Sequence, residues 1–288
     1  MTCETFLAID WGTTNRRVYL VEGGDLVSSA TDARGVRSGC DFAADVAEIR
    51  ARLGNHPMLL AGMVGSTIGW REAPYVSAPA SVRDLATNLL RIDERTVIVT
   101  GVSVATPPDV MRGEEVQLLG AVSAGFVPPD ARLIQPGTHC KWVWMANGQI
   151  VGFTTAMTGE LFSLLRRHSL LAPQLNAEVT IGSAFLEGVV DGKRRDLAAS
   201  LFQIRAAKLL GRRQDAEAAS YASGLLIGSD VAARVDAAST EDFYILADAA
   251  LGSFYAAALE AHGRRAHFVD SHLAFVAGIK EIAGQWEM

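Results

Sequence analysis

The sequence predicts an α/β protein of two domains, each built on a mixed sheet flanked by helices. Three observations lead there. A strand–turn–strand–turn–strand meander opens the chain and recurs near its middle, which reads as an internal duplication. Strand-like and helix-like segments alternate after each meander. A Pro128-Pro129 pair breaks the pattern close to the midpoint and divides the chain into expected domains 1–129 and 130–288.

The first meander starts with the apolar run Phe6-Leu7-Ala8-Ile9, which ends in Asp10. The polar turn Trp11-Gly12-Thr13-Thr14-Asn15 leads to the strand Arg17–Val21, and Glu22-Gly23-Gly24-Asp25 turns again before Leu26-Val27-Ser28. Phe42, Val46, Ile49 and Leu53 recur at helical spacing and mark one helix face, followed by the strand Met58–Ala61. Helix is expected over Val82–Leu90, strand over Thr96–Val99 and helix over Glu115–Ala124. The second meander runs from Ala131 through Pro136-Gly137-Thr138-His139 and the Asn147-Gly148 turn to Phe153. The remainder is richer in helix, at about 160–170, 179–191, 196–209, 215–231, 251–262 and 273–283, with strands at Phe243–Leu246 and Ala266–Val269.

Composition narrows the function. The 288 residues are 49% hydrophobic, enough to fill two cores. A net charge of −6 with dispersed Lys and Arg argues against a nucleic-acid partner. Cys3, Cys40 and Cys140 are scattered and form no metal spacing, which fits a reducing cytoplasm. No apolar stretch approaches the ~20 residues that cross a bilayer, and the first residues show no basic-then-apolar leader.

A phosphate-gripping turn needs backbone N–H groups that can point at oxygen, hence glycine, with hydroxyl donors beside them. Asp10-Trp11-Gly12-Thr13-Thr14-Asn15 supplies both, and Asp10 can orient a Mg²⁺-bound water from the strand end. Alone the hexapeptide reads as an ordinary Asp-turn hairpin. A strand follows it rather than a helix, which excludes a Walker A loop and a dinucleotide fingerprint. The second Gly-Thr turn at the matching place changes the balance, because two such turns would clamp a triphosphate between domains.

Here the residues carry a family resemblance. The first turn resembles the phosphate-1 motif of the acetate and sugar kinase, Hsp70 and actin superfamily, and Gln135-Pro136-Gly137-Thr138-His139-Cys140-Lys141-Trp142 resembles its phosphate-2 motif. The chain as a whole is similar to the 2-dehydro-3-deoxygalactonokinase family. The similarity includes Ala61-Gly62-Met63-Val64-Gly65-Ser66, Gly69-Trp70-Arg71-Glu72-Ala73-Pro74-Tyr75-Val76, Arg112-Gly113-Glu114-Glu115 and Met157-Thr158-Gly159-Glu160-Leu161-Phe162. It departs from the superfamily at Gln135, where an acidic residue is usual, and at Ile245–Ala249, where a glycine is expected for adenosine.

The resemblance implies the two-domain actin-like ATPase (sugar kinase/Hsp70/actin) fold. It also implies transfer from MgATP to the C6 hydroxyl of 2-dehydro-3-deoxy-D-galactonate. The implied partners are ATP and the sugar acid, with a homodimer left open and neither nucleic acid nor membrane. Phosphate contacts are expected from Gly12, Thr13, Thr14, Asn15, Gly137, Thr138 and His139, with Asp10 metal-linked. Gly113-Glu114-Glu115 is also similar to the Gly-x-Glu-Glu segment of exopolyphosphatases, which place a catalytic glutamate there.

Transfer to a hydroxyl is helped by a carboxylate that takes its proton, and Glu114 and Glu115 are the candidates. Acidic residues also favour a first helical turn for its dipole alone. The spacing to the following apolar residues favours Glu115. For the acceptor, Gly65 lets a ligand approach the backbone, Ser66 and Thr67 offer hydroxyls, and Trp70 and Tyr75 offer flat walls. A glycine-rich loop with two aromatics filling a gap is the plainer explanation. The acid's carboxylate could be met by Arg34, Arg37 or Arg71, among which the sequence does not choose. Thr158-Gly159-Glu160 reads as a capped helix start. A phosphohydrolase like the exopolyphosphatases and a non-enzymatic ATP-binding switch of the actin or Hsp70 type are the alternatives.

Overall fold

A computed structural model describes residues 4–194, 196–235 and 242–286, so Cys3 lies outside the described residues. In chain order the elements are β1 (Thr5–Trp11), β2 (Arg16–Glu22), β3 (Asp25–Asp32), α1 (Phe42–Leu53), β4 (Met58–Gly62) and β5 (Tyr75–Ser77). There follow α2 (Val82–Thr87), β6 (Leu90–Arg91), β7 (Thr96–Ile98), β8 (Gly101–Val104), β9 (Asp109–Met111) and α3 (Glu114–Ser123). The second meander is β10 (Ala131–Gln135), β11 (Cys140–Ala146) and β12 (Gln149–Ala156). It leads to α4 (Thr158–His168), α5 (Ser183–Gly192), α6 (Leu197–Leu209) and α7 (Asp215–Arg234). The chain ends with β13 (Phe243–Leu246), α8 (Ala249–Ala261), β14 (Ala266–Val269) and α9 (Ser271–Gln285). Among the described residues no helix is long and apolar enough to cross a membrane.

The chain forms two compact units that are not contiguous halves. The first comprises Met1–Asp130, Val143–Phe153 and Asp270–Met288, and the second Ala131–Trp142 and Thr154–Val269. The main break at Asp130 adjoins Pro128-Pro129. The tip of the β11–β12 hairpin counts with the first unit because its turn is bonded there. Gly148 N–H donates to Pro129 O at 3.0 Å, Asn147 N–H to Asp130 Oδ1 at 2.9 Å, and Ile150 pairs with Ala80.

In the first unit a six-stranded sheet has the order β3-β2-β1-β4-β7-β6. The meander pairs antiparallel, whereas β1–β4 and β4–β7 are parallel, giving the expected mixed sheet. The central strands bury both faces, so Leu7, Ala8, Ile9, Leu59 and Leu60 are all fully enclosed and read as unbroken apolar runs. One face packs Leu7, Ile9, Trp11 and Leu60 against Val46 and Ile49 of α1. That helix starts where the Asp41 side chain accepts from Ala43 and Ala44 N–H and stops at Gly54, whose φ is 102°. Helix α2 is shorter than expected: Ser81 and Asp84 cap its start, Asn88 closes it, and Leu90–Arg91 joins the sheet instead. A separate three-stranded sheet, β5-β8-β9, was not anticipated, since strands of three or four residues show no period.

Helices α3 and α9 cross closely in the same unit. A Cβ on Gly120 would come 2.0 Å from Ala274 O, and one on Gly278 would come 2.0 Å from Val116 O, so both positions need glycine. The other sheet runs β12-β11-β10-β13-β14, with β10–β13 and β13–β14 parallel. Helices α6 and α7 of the second unit enclose a core of Leu171, Leu175, Ile204, Tyr221 and Leu225. Helix α5 begins at Ser183, later than the expected 179. Cys40 and Cys140 are unbridged.

One buried ion cluster ties α1 to the first hairpin. Arg16, 2% exposed, donates to Asp45 Oδ2 at 3.0 Å and to Asp32 Oδ2 at 2.7 Å, and its guanidinium lies over the Trp11 ring. Arg34 also pairs with Asp45. Removing one partner of a buried pair strands the other charge, at a cost of about 3 kcal/mol or more. Asp45→Ala should lower the urea unfolding free energy by about that amount; a loss under ~1 kcal/mol would show the cluster to be incidental.

Candidate active site

The turn Gly12–Asn15 is closed by Gly12 N–H donating to Asn15 O at 2.9 Å. Its carbonyls are occupied from the other side. Thr14 O accepts from Gly35 N–H at 3.0 Å, Gly12 O from Val36 N–H at 3.0 Å and Thr13 O from Arg37 N–H at 3.1 Å. In a planar trans peptide the N–H points opposite to its C=O, so the N–H of Thr14 faces away from this support. Thr14 and Asn15 are exposed, which leaves that edge accessible. Gly35 sits so near that a Cβ would come 2.4 Å from the Thr14 carbonyl carbon. This supporting segment was not identified from sequence, where the glycine in Arg34-Gly35-Val36 is its only signal.

Asp10 stands one residue before the end of β1, opposite Arg17 on β2 and beside Ala61 on β4. Its carboxylate lies 3.5 Å from Arg17 Nη1. Burial raises its pKa to about 6; Arg17 pulls it down, and the charge of Glu114 pushes it up further. The glutamate is brought there by two glycines. Gly113, the residue before α3, has φ 104°, and a Cβ on it would come 2.9 Å from the Gly62 Cα. Gly62, with φ 91°, in turn has no room for a Cβ, which would come 2.9 Å from Trp11 O. The two backbones therefore touch, and the start of α3 meets the ends of β1 and β4.

The two glutamates take different places. Glu115 is fully buried, and Gly113 N–H donates to its Oε1 and Oε2 at 2.8 and 2.7 Å. Burial first, and Glu114 next, raise its pKa to about 8. Glu114 is half-buried, with Oε2 accepting from Arg112 N–H at 3.0 Å. The apolar spacing that favoured Glu115 marks the enclosed face of the helix, so the partly open carboxylate beside Asp10 is Glu114.

Among the expected acceptor residues, Ser66 Oγ donates to Met63 O at 2.7 Å, and Thr67 is exposed. Trp70 is half-buried, stacked on Phe42 with ring centroids 6.2 Å apart, and packs on the sheet core. Tyr75 is 40% exposed and covers the guanidinium of Arg112, with Gly65 on another side of that group. Arg34 is engaged by Asp45 and Glu48, while Arg37 and Arg71 are exposed.

In the second unit the turn Gly137-Thr138-His139 rests on the start of α4. Glu160 N–H donates to Thr138 O at 2.9 Å, and a Cβ on Gly159 would come 2.4 Å from Gly137 O. His139 Nε2 lies 2.6 Å from Glu160 Oε2. No side chain caps α4, contrary to expectation. Thr158 instead donates its hydroxyl to Asp230 Oδ2 at 2.8 Å, and Tyr255 OH donates to the same oxygen at 3.3 Å. Asp230 is 72 residues from Thr158 in sequence, and nothing local signals the link. A pocket beside this turn is lined by Gly159, Phe162, Ser223, Leu226, Ile227 and Leu251.

Comparison with known proteins adds the family. Residues 10–282 match the family model described as 2-keto-3-deoxy-galactonokinase. The chain is 37% identical over 286 residues to 2-dehydro-3-deoxygalactonokinase of Escherichia coli (strain K12), covering 96% of this chain and 97% of that one. It superposes with a TM-score of 0.89 and 32% identity on a candidate 2-dehydro-3-deoxygalactonokinase from Sinorhizobium meliloti, over 96% of this chain and 98% of the other. At 12% identity it also shares its fold with the activator of 2-hydroxyisocaproyl-CoA dehydratase from Clostridium difficile. There the TM-score is 0.51, over 97% and 94% of the two chains. The fold is the actin-like, sugar-kinase ATPase fold.

The raised pKa of Asp10 has a consequence for stability. The folded chain holds this proton more tightly than the unfolded chain, whose ordinary value is 3.8. The contribution is therefore complete below about pH 4 and is lost as pH rises through about 6. Asp10→Asn should exceed the wild type in urea unfolding free energy at pH 7.5, by an amount on the order of 1–3 kcal/mol, with the margin closing towards pH 4. A variant no more stable than wild type at pH 7.5 would show that burial of the carboxylate carries no penalty.

Proposed function

Since the chain belongs to the 2-keto-3-deoxy-galactonokinase family and is an ATP-dependent kinase, we propose that it phosphorylates the C6 hydroxyl of 2-dehydro-3-deoxy-D-galactonate. The observation that carries the chemical assignment is the pairing of Asp10 with Glu114 at the edge of the Gly12–Asn15 turn. Phosphoryl transfer needs phosphates held in place, their charge offset, and a base for the attacking hydroxyl.

The residues divide these tasks. The turns at Gly12, Thr13, Thr14 and Asn15 and at Gly137, Thr138 and His139 serve the phosphates of ATP through N–H and hydroxyl donors. The pocket beside Gly159 suits the nucleoside, its wall largely apolar with Ser223 as a polar group. Glu114 takes the hydroxyl proton. Glu115 fixes the start of α3 by holding the Gly113 N–H, so its role is positioning. The acceptor lies against Gly65, Ser66, Thr67, Trp70 and Tyr75.

Magnesium binds few protein carboxylates and keeps much of its water. Among the described residues no group of three or more potential ligands gathers, so Asp10 with Glu114 forms the available donor set. That set fits an ion held mainly by phosphate and water. Bound there, it would offset charge on the phosphates. We place the enzyme in the cytoplasm, where its substrate ATP is made.

The test is a coupled ADP-release assay with MgATP and 2-dehydro-3-deoxygalactonate, beside the gluconate epimer and a blank without acceptor. Acceptor-dependent ADP release with a 6-phosphate product is expected. Glu114→Gln should reduce kcat by about 10²–10⁴-fold. Equal release in the blank would point to a phosphohydrolase, and no release at all would favour an ATP-binding switch.

A further inference from the structure

Arg112 is a buried cation with unfinished bonding. It is 8% exposed, and Nη2 donates to Ala73 O at 2.7 Å. Among the described residues Nε and Nη1 are enclosed without an acceptor and no carboxylate lies within ion-pairing distance of the group; its charge is felt by the buried Glu115, whose pKa burial raises to about 8. The Tyr75 ring lies over it, centroid 4.2 Å from Cζ. Stacking of this kind offsets only part of the cost of leaving a charge buried and unpaired. Proteins rarely keep such a group unless something else completes it.

The surroundings pack closely on the group. A Cβ at Gly65 would come 2.8 Å from the Ile98 side chain and 3.1 Å from Nη1, so the glycine lets the guanidinium lie against the backbone there. Gly101, paired with Tyr75 across β5–β8, has no side chain where the Tyr75 ring sits; a Cβ there would come 2.7 Å from the ring. The ring is held over the cation from β5, an edge strand bonded only to β8, and remains 40% exposed. Arg112 also stands two residues before Glu114. The Glu114 carboxylate accepts from the Arg112 N–H, so both side chains leave the same short stretch of backbone at the start of α3.

We propose that Arg112 is the counter-ion for the carboxylate of the sugar-acid acceptor, with Tyr75 as the cover that turns aside to admit it. This rests on the acceptor being a sugar acid. The acid end is anchored at Arg112 while the far hydroxyl lies by Glu114, so one end of α3 measures the substrate's length. Arg34 is excluded by its pairs with Asp45 and Glu48. Arg71, exposed on the acceptor loop, attracts the anion from solution without fixing it.

The experiment compares wild type, Arg112→Met, Arg112→Lys and Arg71→Ala. Each is assayed with 2-dehydro-3-deoxygalactonate and with its C1 carboxamide, and binding of the acid is measured by calorimetry, which needs no turnover. Arg112→Met should weaken the acid's Kd and raise its KM by about 10²-fold or more, since it removes a charge-assisted pair from a buried site. The KM for ATP should stay within about threefold, showing that the variant is folded. Wild type should prefer the acid over the carboxamide, and Arg112→Met should lose that preference. Arg112→Lys should recover part of it, and Arg71→Ala should keep it. An acid preference undiminished in Arg112→Met, or equal losses for ATP and acid, overturns the assignment. If wild type binds the acid through Arg112 yet does not phosphorylate it, the carboxylate site stands and the kinase reading of the acceptor fails.

Discussion

Two peptide backbones touch at Gly62 and Gly113 with no side chain between them, and the site depends on that contact. Both glycines have positive φ, at 91° and 104°, a region closed to most residues. Only with both in place can the start of α3 reach the ends of β1 and β4. Glu114 then repels the Asp10 charge, Glu115 closes back on Gly113 N–H, and Arg112 is drawn under Tyr75. Three motifs distant in sequence thus answer to one close approach.

The chemistry such a site performs sets its energetic character. Asp10 and Glu115 are held where burial opposes their charge, and Arg112 is a cation enclosed with no carboxylate within ion-pairing distance among the described residues. Each is a cost that a folded chain tolerates only if the rest of the unit over-determines it. The apolar strands β1 and β4, the Arg16–Asp45–Asp32 cluster and the glycine crossing of α3 with α9 supply that surplus. The cluster stands directly behind the Gly12–Asn15 turn, because Arg34 shares Asp45 and leads into the Gly35–Arg37 support.

Much of this was legible in the sequence, for reasons that separate local from distant information. Both meanders could be read because apolar runs and tight turns are local, and Phe42, Val46, Ile49 and Leu53 marked α1 by spacing alone. The two Gly-Thr turns were recognisable as turns from Gly and Thr between strand-like runs. Which of Glu114 and Glu115 stays partly open was not, because a helical period tells which face is buried and not which carboxylate remains accessible. Gly35, Asp230 and the covering of Arg112 escaped for a related reason: each acts through a partner 20 to 70 residues away or more, or through a side-chain orientation that no local pattern encodes. The extra segment Val143–Phe153 of the first unit likewise follows from bonds at its turn rather than from composition.

The most direct measurement is an NMR titration of the Asp10 side-chain carboxyl carbon in the wild-type chain and in Glu114→Gln. If the glycine contact sets Glu114 against a buried Asp10, the wild-type signal titrates near pH 6 and moves to lower pH when the Glu114 charge is removed. An Asp10 that titrates near the ordinary 3.8 in both chains would contradict the pairing on which the site is built.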